Sequence, residues 1–141
     1  MNSAPLDRRA VVLDRDLAHR PEKVWRAITQ PHLIAEWLMA NDFAPELGRD
    51  FRLRNTPQPG MEIVIDCRVL AIEPHHTLSY SWSAYGLESI VTFTLTPTAS
   101  GTHLRLEQAG FAPDQDAAFK GARAGWTQFL RSLTTILDRP E

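Results

Sequence analysis

Between Gly48 and Ala109 the chain alternates apolar and polar residues with a period of two. Phe51 and Leu53 alternate with Arg52 and Arg54. Ile63, Ile65, Cys67 and Val69 alternate with Val64, Asp66, Arg68 and Leu70. Leu78, Tyr80 and Trp82 alternate with Ser79, Ser81 and Ser83. Val91, Phe93 and Leu95 alternate with Thr92, Thr94 and Thr96, and Leu104 and Leu106 with His103, Arg105 and Glu107. Five consecutive runs of this kind predict an antiparallel sheet with one buried face and one wet face. The breaks at Pro57–Gly60, Pro74–His76, Tyr85–Gly86 and Pro97–Gly101 carry turn chemistry. An earlier run, Ala10–Ala18, has Val11, Leu13 and Leu17 among charges and reads as a further strand.

Elsewhere the period is helical. Pro21 suits a first helical turn, Glu22 favours its positive end, and Val24 and Ile28 share a face. Pro31 opens a second short helix, with Leu33 and Trp37 on one face and Ile34 and Leu38 on the next. From Asp114, a candidate cap, to Asp138, apolar positions Phe119, Ala122, Trp126, Phe129, Leu133 and Leu137 define a long amphipathic helix. Gly121 and Gly125 inside it each cost roughly 1 kcal/mol against Ala, which predicts a close approach to that face.

Only the last helix is long enough to cover the apolar sheet face. The predicted fold class is therefore α+β: a curved six-stranded antiparallel sheet wrapped around a long C-terminal helix, with two short helices between strands 1 and 2. A gap between sheet and helix would be lined by Phe51, Tyr80, Trp82, Phe93, Trp126 and Phe129. Such an apolar gap suits a small hydrophobic ligand.

Composition narrows the function classes. The net charge is −2, and it is spread evenly: residues 1–70 carry ten basic and ten acidic side chains, and 71–141 carry five and seven. This argues against a nucleic-acid partner or a polybasic membrane anchor. No stretch approaches the ~20 apolar residues of a membrane span. The N-terminus, MNSAPLDRRAVVL, lacks an apolar run of signal-peptide length. One cysteine, Cys67, has no intramolecular disulfide partner. The expectation is a cytoplasmic protein with one domain over residues 1–141.

The search for reactive chemistry yields little. His19, His32, His75, His76 and His103 show no metal-ligand spacing, and no phosphate loop or nucleophile motif occurs. No catalytic residue, cofactor or metal is assigned. Cys67, in phase with Ile63, Ile65 and Val69, reads as a small buried hydrophobe. Arg52, Arg54 and Arg68 fall on the polar phase, with Asp50 and Asp66 near enough to offset them. Gln108, in phase with Leu104 and Leu106, is a buried polar contact that must find partners. Gln108, Tyr80 and Trp82 combine apolar surroundings with a polar tip, so they are the best placed to orient a ligand. Trp37, Phe43 and Leu106 complete the candidate lining.

The chain resembles the START-like, helix-grip superfamily (SRPBCC), and within it the group named for the activator of the ninety-kilodalton heat-shock-protein ATPase. The residues carrying the resemblance are Pro21–Thr29, Pro31 with Trp37, Arg68–Leu70 through Leu78–Trp82, Val91–Leu95, Gly101-Thr102 through Leu106, Gly110-Phe111, and Gly125-Trp126 through Phe129-Leu130. The resemblance implies the helix-grip fold. It leaves function open among lipid carriers, cyclases, receptors and co-chaperones. Three readings follow. The first is a protein that binds a hydrophobic or aromatic small molecule between sheet and helix. The second, implied by the resemblance, is a protein-binding module with a chaperone as partner. The third is a cyclase- or hydratase-type enzyme using the same cavity. The third is the weakest, because the inward positions are almost wholly apolar apart from Tyr80 and Gln108.

Overall fold

The computed structural model describes residues 9–140. The elements run β1 (Arg9–Leu17), α1 (Pro21–Thr29), α2 (Pro31–Trp37), β2 (Ala40–Asn41), β3 (Asp50–Gln58), β4 (Met61–Glu73), β5 (Thr77–Ala84), β6 (Leu87–Thr98), β7 (Gly101–Phe111) and α3 (Asp116–Leu137). One antiparallel sheet holds seven strands in the order β1-β7-β6-β5-β4-β3-β2. The expected six becomes seven because Ala40–Asn41 pairs with Arg54 and Leu53 at the edge. Two residues are too few to show a period. The five long alternating runs, the strand before them, both short helices and the long helix all form.

The register places the expected side chains in rows on one face. Val69, Tyr80, Val91, Gln108 and Val11 stand opposite one another across five strands. Leu78, Phe93, Leu106 and Leu13 form the next row. All nine are buried. Burial of this face stabilises the fold at roughly 25 cal/mol per Å² of apolar area. A bulge between Val69 and Ala71 turns Leu70 out to solvent.

Helix α3 closes the face unevenly. Its buried residues Trp126, Leu130, Leu133 and Leu137 run from its midpoint to its C-terminal end. In the first half Phe119, Ala122 and Gly125 are half-buried. A Cβ at Gly121 would meet nothing within 4 Å, and one at Gly125 would meet only the Phe129 ring at 3.8 Å. The close approach expected at these glycines is therefore absent: Gly121 faces solvent and Gly125 meets only its own helix, while Phe119 packs its ring against Phe111 at 5.5 Å. The helix also starts later than expected. Gln115, not Asp114, is the N-cap position, and it makes no side-chain cap bond. Its amide instead accepts the Ala112 N–H at 2.8 Å and donates to the Gly86 carbonyl at 3.2 Å, tying the helix start to the β5–β6 turn.

Two glycines are required by space. A Cβ on Gly101 would overlap the Leu17 carbonyl, where β7 meets the end of β1. Gly110 has φ +123, and a Cβ there would sit 2.7 Å from the Glu88 carbonyl.

Candidate functional site

The candidate aromatic residues come together on the inner face. Phe43 meets Phe51 with ring centroids 5.0 Å apart, Phe51 meets Tyr80 at 5.1 Å, and Tyr80 meets Phe93 at 6.0 Å. Phe93 then contacts Trp37 at 6.2 Å and Trp126 at 5.9 Å. Trp126 also contacts Trp82 at 5.3 Å and Phe129 at 5.6 Å. Most of these contacts are edge-to-face, the arrangement the ring quadrupole favours. The centre of the sheet–helix space is thus occupied by rings in mutual contact, with Leu106 fully buried beneath Phe93 in its row. Phe129 is half-buried and marks the limit of the packed region.

Gln108 is 1% exposed and finds its partners within the protein. Its amide oxygen accepts the Trp126 indole N–H at 2.7 Å. Its amide nitrogen donates to the Ser89 hydroxyl at 2.9 Å, which donates to the Trp82 carbonyl at 2.9 Å. Gln108 therefore joins α3 to β6 and β5, and its candidate ligand-orienting tip is engaged internally. Ser89 escaped the sequence reading because it sits between Glu88 and Ile90. Its signal was parity, since it is in phase with Val91 and Phe93. Trp37 is also satisfied, donating its indole N–H to the Ala27 carbonyl at 2.8 Å.

Tyr80 and Trp82 differ. They lie two residues apart on the inner face of β5 and are 4% and 8% exposed. Among the described residues, neither the Tyr80 hydroxyl nor the Trp82 indole N–H has a hydrogen-bond partner. Among the described residues no fully sealed side-chain nitrogen or oxygen is left unpartnered, so both tips still touch accessible space. Burial, and then the neighbouring Cys67, push the Tyr80 phenol well above its ordinary pKa of 10.0. It remains a neutral hydroxyl, able to donate and accept.

Cys67 is buried opposite Phe51. Burial, with smaller contributions from Asp66 and Asp42, pushes its thiol up to about 12. It is protonated and unreactive, as expected of a small core residue. The arginines of the outer face are paired: Arg52 with Asp66 at 2.8 Å and Arg68 with Asp50 at 2.7 Å. The Arg68 hydrogen bond holds the Asp50 carboxyl below its usual range. His75 and His76 are exposed in their turn. His103 is clamped on the outer side of β7, with ring nitrogens 2.9 Å from Asp14 and Asp16. Among the described residues no three His, Cys, Asp or Glu side chains group to hold a metal, and no helix is long and apolar enough to cross a membrane.

Residues 18–138 match the family model described as Activator of Hsp90 ATPase homolog 1-like protein. The crystal structure of protein MLL2253 from Mesorhizobium loti is 54% identical, with TM-score 0.87, covering 94% of this chain and 99% of that one. A Rhodobacter sphaeroides protein is 30% identical, with TM-score 0.83, over 94% and 93% of the two chains. DynU16, a protein in the dynemicin biosynthetic locus, is 26% identical with TM-score 0.76, and the match covers 94% of this chain and 47% of DynU16. No curated protein matches.

Proposed function

The chain belongs to the Activator of Hsp90 ATPase homolog 1-like family, and from that premise we propose that it is a cytoplasmic binding protein for a hydrophobic or aromatic small molecule. The observation that carries this reading is the pair of unpartnered polar tips on β5. A polar group on a buried face normally finds a protein partner. Gln108, Ser89, Trp37 and Trp126 all do. Among the described residues Tyr80 and Trp82 do not, which is what a surface built to meet a ligand's polar atoms requires. The rest of the lining, Phe43, Phe51, Phe93, Leu106 and Phe129, contributes apolar area. Binding would bury apolar surface at roughly 25 cal/mol per Å² while Tyr80 and Trp82 fix orientation. The likeness to DynU16, a protein in the dynemicin biosynthetic locus, supports a biosynthetic small molecule as the ligand class.

A thermal-shift screen against fatty acids, sterols, flavonoids and aromatic polyketides tests this. A ligand at ~100 times its Kd stabilises by ~2.7 kcal/mol. At least one class should raise Tm clearly; a flat screen across all four counts against the proposal. The protein-binding reading draws on the family description and on exposed Leu47, Met61, Leu70, Tyr85 and Ile90. Under that reading a chaperone would be retained by the immobilised chain while the small-molecule screen stays flat. An enzymatic role would need an acid or base beside the ligand, and among the described residues the inner face offers the neutral Tyr80 hydroxyl and the protonated Cys67 thiol.

A further inference from the structure

A cleft of about 340 Å³ lies between the edge strand β1 and the second half of α3, lined by Arg15, Thr127, Arg131, Thr134 and Thr135. Its volume is that of a small-molecule site. Arg15 has an unusual position in it. Along β1, Asp14 and Asp16 point to the outer face, where His103 and Arg105 hold them. Arg15 has the opposite parity, shared with buried Val11, Leu13 and Leu17, and stands across from the fully buried Leu104 of β7. It is a half-buried guanidinium on an otherwise apolar phase. An inward charge on an edge strand guards against pairing with another chain, and that would account for Arg15 alone. It does not account for the second guanidinium, Arg131, on the same cleft, because two like charges lining one recess repel.

Among the described residues neither cation meets a carboxylate: Arg15 donates to the Asp14 carbonyl at 2.7 Å, and Arg131 to the Gln128 side-chain oxygen at 3.2 Å. The charges around them do not compensate. From Ala117 to Leu137, α3 holds Lys120, Arg123 and Arg131 and no acidic residue, in a chain of net charge −2. Asp116 is engaged by Arg9 and Lys120, and Asp138 by His19. A guanidinium has five N–H donors, so most of those on Arg15 and Arg131 are left for a ligand. The threonines complement them. Thr127, Thr134 and Thr135 donate their hydroxyls back to the carbonyls of Arg123, Leu130 and Arg131 at 2.8, 3.0 and 3.1 Å, which leaves their oxygens as acceptors. Two planar forks without a carboxylate match a tetrahedral dianion, whose oxygens can meet both. Hydroxyl acceptors match a hydroxylated body. The recessed position of Arg15 favours a compact anion over a flat charged surface. We propose that this cleft binds the phosphate monoester of a small polyhydroxylated molecule, its phosphate between Arg15 and Arg131 and its hydroxyls at the threonines. This site is separate from the one beside Tyr80 and does not depend on it.

Amide-resolved NMR titration of the full chain with ribose 5-phosphate, and with ribose as the neutral control, tests the proposal. Ribose 5-phosphate should shift amides around Arg15 and from Thr127 to Thr135. It should bind at least about tenfold more tightly than ribose, and rising salt should erode that advantage. Arg131 is exposed, so Arg131→Gln leaves the core intact. It should weaken ribose 5-phosphate about tenfold, as should Arg15→Gln. Arg123 lies about 12 Å from Arg131 along the helix, beyond the screening length at physiological salt, so Arg123→Gln should leave the affinity nearly unchanged. Equal losses in Arg123→Gln and Arg131→Gln would mean a diffuse cationic face and would overturn the proposal. So would equal affinity for the two probes, shifts confined to other elements, or binding to phosphatidylglycerol vesicles with no saturable response to ribose 5-phosphate.

Discussion

Trp126 donates its indole N–H to the Gln108 side-chain oxygen at 2.7 Å, and this bond joins the long helix to β7, the strand beside the β1 edge of the sheet. The chain continues through Ser89 to the Trp82 carbonyl. A relay with every member satisfied stiffens the core, while a relay cut at one point leaves buried donors exposed to an apolar medium.

Gln108→Leu cuts it. The Trp126 N–H loses its acceptor and Ser89 loses a donor, each leaving an unsatisfied buried group at about 1–3 kcal/mol. Urea unfolding should show a lower midpoint with an unchanged slope. Ser89→Ala removes a smaller part of the same relay and should cost less. Equal stability of Gln108→Leu and wild type would remove Gln108 from its structural role.

The glycines should separate by position. Gly121→Ala places a methyl in open space in a helix interior and should stabilise by about 0.5–1 kcal/mol. Gly110→Ala meets the Glu88 carbonyl at 2.7 Å with φ +123 and should destabilise by more than about 1 kcal/mol. Thermal melts of the two variants should move in opposite directions.

His103 gives the protein a signed pH dependence. Hydrogen bonds first to Asp16 and then to Asp14 raise its pKa above the ordinary 6.5. The folded state therefore prefers the imidazolium. The resulting stability is fully present below pH 6.5 and is lost as pH rises through the higher folded value. Wild type should lose stability relative to His103→Gln across that window, measured as the difference in urea midpoints. A constant difference would show that the Asp14–His103–Asp16 clamp makes no net contribution.

Cys67 should resist labelling. With its thiol pushed up to about 12 and the residue buried, thiolate is scarce at neutral pH. Iodoacetamide should label the protein only under unfolding conditions, at the rate of global opening. Fast labelling of the native protein would mean that the β3–β4 face opens locally.

Much of the fold was legible because the inner face is uniformly apolar at period two. Phe51, Cys67, Tyr80, Trp82 and Phe93 fall inward, and the Arg52–Asp66 and Arg68–Asp50 pairs fall outward, as that alternation requires. Three features were not legible. A two-residue edge strand carries no period. The Asp114 cap gave way to Gln115 because Gln115 bonds to Ala112 and Gly86, a tertiary choice that the local sequence does not encode. The cleft of about 380 Å³ that Leu33 lines together with Ile136 joins residues more than a hundred positions apart, so only the fold brings them together. The aromatic residues could be named but their packing could not, because ring contacts depend on how far α3 stands from the sheet.

The central claim is that Tyr80 and Trp82 present their polar tips to a ligand, and the most direct measurement is the affinity of the best ligand from the screen for wild type and for Tyr80→Phe. The substitution removes one oxygen that has no protein partner, so Tm without ligand should stay within about 0.5 kcal/mol equivalent of wild type. The account predicts a loss of about tenfold in affinity, the worth of one hydrogen bond to a ligand at a site shielded from water. An unchanged affinity in Tyr80→Phe, with the ligand still bound, would contradict it and move the binding surface away from β5.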